Sequence, residues 1–153
     1  DVYKRQAGDY AGFRGAILRD AGWPVREGPM AGVLAGLLAA RDGGFDAVLT
    51  VAVDTPFFPS DLRQRLAADI RPGAVAIAAS AGRVHPVFGL WPAALADPAL
   101  SFFDAGGRSP DRFSREVGRV LVGWEPRPFD PFANLNTPED RAALEAIAAS
   151  LAP

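Results

Sequence analysis

The sequence predicts an α/β fold: a three-layer sandwich around a mostly parallel sheet. Apolar, β-branched runs such as Ala47-Val48-Leu49-Thr50-Val51-Ala52-Val53 read as buried strands. Segments of helical periodicity lie between them, the alternation expected of helices covering both faces of a sheet. The length, 153 residues, and the balance of 49% apolar to 22% charged residues suit one ordered domain with a sizeable core.

Tyr10 to Ala21 places Phe13, Ile17, Leu18 and Ala21 at helical spacing, with Asp9 as a cap and Gly22 as a stop. After Gly28-Pro29, the residues Met30, Val33, Leu34, Leu37 and Leu38 form a buried helical stripe that Gly43-Gly44 ends. The run over 47–53 reads as a central parallel strand and the most buried one. Asp54-Thr55-Pro56 breaks it. A helix is expected from about Ser60 to Ile70, then strands over 74–80 and 84–91. Short helices are expected within 92–104 and 111–117, and a strand over 119–124. Thr137-Pro138-Glu139-Asp140 reads as a capped helix start, continued by Leu144, Ile147 and Leu151.

Composition excludes several function classes. The chain has no cysteine, one histidine and a net charge of -2, from 16 basic and 18 acidic residues. Disulfides, Cys-zinc sites, a Cys nucleophile and multi-His metal sites are ruled out. No basic block points to nucleic acid or to an anionic membrane surface. There is no long apolar run and no secretory signal, so a cytoplasmic protein is expected. Asp1 to Gln6 holds the only lysine, Lys4, and reads as a non-native leader. Residues 7–153 then form a single domain, incomplete at its N terminus.

Asp54 is the first chemical candidate. Ligands of open α/β sheets bind beyond the carboxyl ends of strands, and a carboxylate there can hold Mg²⁺. The plainer alternative is a turn-forming aspartate. Gly28 and Gly32 frame a helix start where free N–H groups suit phosphate, although Gly32 also fits close helix packing. Asn134 and Asn136 point the same way in an extended segment; alternatively they are turn residues before a helix. Arg83 and His85 share one strand face, and Arg108 sits in a Gly-rich loop. All three are candidate substrate contacts, with structural roles as the rival reading. No G-x-S-x-G elbow and no P-loop is present.

Taken in order, Gly28-Pro29-Met30-Ala31-Gly32, Asp54-Thr55-Pro56-Phe57, His85-Pro86-Val87-Phe88-Gly89-Leu90-Trp91 and Asn134-Leu135-Asn136-Thr137-Pro138-Glu139-Asp140 resemble the molybdenum cofactor guanylyltransferase (MobA-like) family. The resemblance runs from Ala7 to the C terminus. It implies a Rossmann-like nucleotidyltransferase fold. The implied reaction is Mg²⁺-dependent transfer of GMP from GTP to molybdenum-molybdopterin, releasing pyrophosphate. It makes Asp54 the metal-binding, catalytic aspartate, Gly28 and Gly32 nucleotide-side residues, and Asn134 and Asn136 molybdopterin-side residues. GTP and molybdopterin are the implied substrates, with transient contact to molybdoenzyme maturation proteins.

Two departures stand against this. The family's opening strand and its Gly-Gly loop with a lysine have no counterpart here. The stretch before Gly28 keeps only Arg26-Glu27, where the family has a longer loop. The resemblance therefore implies an N-terminally truncated chain that binds GTP poorly and is weak or inactive in turnover. Rival readings are a cytidylyltransferase or sugar-phosphate nucleotidyltransferase. A rival of another class is a non-catalytic short form that binds molybdopterin or a partner.

Overall fold

The structure, a computed structural model, describes residues 28–71, 73–127 and 129–134 and the single positions 142 and 146. The expected leader, the helices over 10–21 and from Thr137, and Asn136 lie outside the described residues. The elements are α1 (Pro29–Asp42), β1 (Ala47–Thr50), α2 (Leu62–Asp69), β2 (Val75–Ser80) and β3 (Arg83–Pro92). A single 3₁₀ turn (Ala93–Leu95), α3 (Ala96–Asp104), α4 (Pro110–Val117) and β4 (Arg119–Trp124) follow.

The sheet is mixed, in the order β1-β3-β2-β4. β2 pairs with β4 in parallel, while β3 runs antiparallel to both β1 and β2. Three of the four strands thus share one direction. β3 opposes them because β2 turns straight into it through Ala81-Gly82. Both turn residues have positive φ, 47° and 72°, the backbone that matches a two-residue hairpin to strand twist.

The most buried strand is β2, not the segment over 47–53. Val75, Ala76, Ile77 and Ala78 are each fully buried, because β2 has strands on both sides. Among the described residues β1 pairs with β3 alone and is half-buried throughout. It also ends earlier than expected. The Thr50 hydroxyl donates to the Val87 carbonyl at 2.6 Å and accepts from Trp91 Nε1 at 2.9 Å. The β1–β3 ladder ends at the Thr50–Gly89 pair, and Val53 beyond it is wholly exposed.

Side chains alternate between two cores, as strand pleating requires. On one face Val75, Ile77 and Trp91 meet α1 (Met30, Val33, Leu34, Leu37), α3 and Phe113 of α4. On the other, Ala76, Ala78, Phe88, Val122 and Trp124 meet Leu62 and Leu66 of α2, and Phe132. The stripe of Met30, Val33, Leu34 and Leu37 read from the sequence is the buried face of α1. Ser109 caps α4, its hydroxyl accepting from the Arg112 N–H at 3.2 Å, with Pro110 at the first helical position.

Candidate functional site

Because β1, β2 and β4 share a direction, their carboxyl ends fall along one edge of the sheet. Thr50, Ser80 and Trp124 mark that edge, and β3 begins there with Arg83. The N terminus of α1 reaches the same level. A Cβ placed at Gly36 would stand 3.3 Å from a Val48 methyl, so α1 lies directly on β1. Gly28 is two helical turns further back, roughly 12 Å along the axis, which matches three to four strand residues beyond Val48.

Asp54 stands just past β1, half-buried. Its neighbour Thr55 is buried, at 1% exposure. The Thr55 hydroxyl donates to Asn134 Oδ1 at 2.9 Å and lies 3.5 Å from Asp54 Oδ1. A hydroxyl has one proton, so the shorter contact takes it. Asn134 is itself exposed, and with its oxygen engaged it offers its amide N–H groups outward. The segment after β1 thus meets the segment after β4. A second contact joins them, with the Phe57 and Phe129 rings edge to face at 6.1 Å.

Among the described residues, no group of three or more His, Cys, Asp or Glu converges. A metal here would rest on Asp54 and complete its shell from substrate phosphate oxygens and water. Mg²⁺ ordinarily binds in that way, so the residues present fit it.

Gly28 caps α1 with φ +73° and ψ -176°, a backbone that essentially only glycine adopts. Among the described residues no side chain caps this helix and no acidic residue stands in its first turn. Pro29 has no N–H and the Ala31 N–H donates to the Gly28 carbonyl at 3.2 Å, so the Met30 N–H and the positive dipole end are what this turn presents to an anion. Gly32 has no atom of the described residues within 4 Å of where a Cβ would stand. Arg108 comes to this corner through its backbone, its carbonyl oxygen lying 3.7 Å from a Cβ placed at Gly28. Its guanidinium turns inward, donating to the Phe103 carbonyl at 2.6 Å and the Gly107 carbonyl at 3.1 Å, over the Phe103 ring.

Farther along the edge, His85 pairs through Nε2 with Ser80 Oγ at 2.8 Å, and its ring stacks on Phe132 with centroids 4.7 Å apart. Ser80 Oγ donates to Asp130 Oδ1 at 2.6 Å. Burial pushes the His85 imidazole below its usual value and Arg83 adds to this, while the Asp130 carboxylate pulls it back up. Arg83 itself is exposed at the start of β3.

The structure therefore gathers Asp54 with Asn134, and Gly28 with the Arg108 backbone, along one edge. It ties His85 to Ser80 and Asp130. Thr55, Ser80 and Asp130 were not singled out from the sequence. Ser80 carries a legible signal, since it closes a strongly apolar strand as Asp54 follows another. Thr55 and Asp130 carry none without their distant partners.

A model of the MobA-like NTP transferase domain matches residues 3–120. The molybdenum cofactor guanylyltransferase of Rhodopseudomonas palustris (strain BisB5) is 44% identical over 146 residues, covering 91% of this chain and 68% of its own. The enzyme of the same name from Cereibacter sphaeroides (strain ATCC 17029) is 42% identical over 145 residues, covering 92% and 71%. The crystal structure of molybdopterin-guanine dinucleotide biosynthesis protein A from Archaeoglobus fulgidus aligns with a TM-score of 0.58 at 23% identity. That alignment covers 81% of this chain and 64% of the solved one, and it speaks for the fold.

Proposed function

The chain belongs to the MobA-like NTP transferase family, and we propose that its site serves the guanylyl transfer for which its curated relatives are named. GMP moves from GTP to the terminal phosphate of molybdopterin. A phosphate oxygen attacks the α-phosphorus, one P–O bond forms, one breaks, and pyrophosphate leaves.

In this reading the N terminus of α1 receives the nucleotide, with Gly28 and Gly32 leaving room for close approach. Asp54 is the residue that would hold Mg²⁺, which supplies charge neutralisation between phosphates when bound. Asn134, with its N–H groups turned outward, and Asn136 serve the molybdopterin side. Arg83 lies within reach of anionic substrate groups at the same edge. No covalent intermediate on the protein is required, since positioning and electrostatics carry phosphoryl chemistry of this kind.

The observation that carries this reading is the Thr55–Asn134 hydrogen bond. It joins the segment bearing the metal-side carboxylate to the segment bearing the acceptor-side amide. A transferase needs both substrates at one place, and this contact brings the two halves together.

The test is product formation from molybdenum-molybdopterin and Mg²⁺ with labelled GTP or CTP. The chain is assayed as it stands and as a hybrid carrying the N-terminal segment of the Rhodopseudomonas palustris relative. The expected result is guanine dinucleotide and pyrophosphate in equal amounts from the hybrid, with CTP used far less. Equal use of CTP, or no dinucleotide from the hybrid, overturns the proposal.

A further inference from the structure

The carboxyl edge contains a hydrogen-bonded chain that the proposed chemistry does not use. Ser80, at 4% exposure, closes β2. Its hydroxyl donates to Asp130 Oδ1 at 2.6 Å, and His85 Nε2 lies 2.8 Å from the Ser80 hydroxyl oxygen. The carboxylate only accepts, so it takes the single serine proton. His85 Nε2 must then be the protonated nitrogen, donating to Ser80, and Nδ1 the bare one. Asp130 Oδ1 also accepts from the Phe132 N–H at 3.0 Å. The Phe132 ring stacks on His85 and sets its edge against Phe88 and Trp124.

We propose that Asp130, Ser80 and His85 form a positioning relay that fixes the segment over 129–134 and, through it, sets Asn134 for the acceptor substrate. The order of the groups excludes a nucleophilic serine. The hydroxyl stands between carboxylate and imidazole with its proton directed to the carboxylate, so His85 donates to Ser80 and does not draw its proton. The relay ties three separate parts of the chain: the end of β2, the first half of β3 and the run after β4. The β2–β3 register shifts between Ile77 and Ala78, just where β3 leaves His85 for Pro86. His85 is thereby held in the short hairpin half of β3, opposite Ala78, where Nε2 reaches Ser80. Asn134, two residues beyond Phe132, is then held from one side by the relay and from the other by Thr55.

The kinetic consequence rests on the proposed function; the relay itself does not, and the test separates them. The chain has one histidine, so its ¹⁵N-labelled imidazole gives a single ring spectrum. The expected spectrum is the Nε2–H tautomer, and Nδ1–H would overturn the relay. In the kinetic arm, carried out in the hybrid protein, Ser80→Ala, Asp130→Ala and His85→Phe each raise the KM for molybdopterin by about 3- to 10-fold, the worth of one hydrogen bond. The KM for GTP stays near its original value, and Asp130→Asn, which keeps the acceptor oxygen, restores most of the loss. His85→Phe preserves the stack on Phe132 without the donor. If it matches the parent, stacking suffices and the relay is overturned. An equal rise in both KM values marks a merely structural role and also overturns it. If the hybrid protein makes no dinucleotide, the proposed function fails while the tautomer still decides the relay.

Discussion

Thr55 and Asn134 stand 79 residues apart, and the buried threonine hydroxyl donates to the asparagine side-chain oxygen at 2.9 Å. This bond couples stability to the site. Thr55→Val keeps the side-chain shape and removes the donor. It should cost about 1 kcal/mol, the net worth of one hydrogen bond, and should release the amide of Asn134. Thr55→Ser should recover most of the stability. Urea unfolding midpoints compared across the three proteins check this.

The two glycines of α1 should behave in opposite ways. Gly28→Ala forces an alanine into φ +73° with extended ψ, at a cost of order 1–3 kcal/mol, and displaces the helix start. Gly32→Ala meets no atom within 4 Å. It should stabilise the helix by about 0.5–1 kcal/mol while weakening GTP binding, because the added methyl faces the open space beside the helix start. Thermal melts and GTP titrations on each variant test that reversal.

His85 should impose a pH dependence on stability. Its imidazole titrates below the ordinary 6.5, chiefly because it is buried, with Arg83 adding and Asp130 opposing. The unfolded chain therefore takes up this proton first. Stability from this group is fully present above about pH 6.5 and is lost as the pH falls through the folded value. Unfolding free energy measured from pH 7.5 down to 5.5 should decline, and His85→Gln should flatten that slope.

Local periodicity made much of the fold legible. The stripe of Met30, Val33, Leu34 and Leu37 is the buried face of α1, and the apolar runs over 75–80 and 119–124 are β2 and β4. The rank of the strands was not legible, because burial of a strand depends on its neighbours. β2 lies between two strands, while the equally apolar β1, among the described residues, pairs with β3 alone and ends at Thr50. In the site, Asp54 was legible from its position after a strand. Arg108 was legible as a loop arginine, but not that its guanidinium is engaged by the carbonyls of Phe103 and Gly107. Ser80 and Asp130 lie 50 residues apart, and no local pattern joins them.

The proposed guanylyl transfer rests on Asp54 as its metal-bearing carboxylate. The most direct measurement is GTP-dependent dinucleotide formation by the hybrid protein over a Mg²⁺ titration, with and without Asp54→Asn. The account predicts a loss on the order of 100-fold or more at saturating Mg²⁺, with the thermal midpoint unchanged. An Asp54→Asn protein with full activity and the same Mg²⁺ dependence would contradict it.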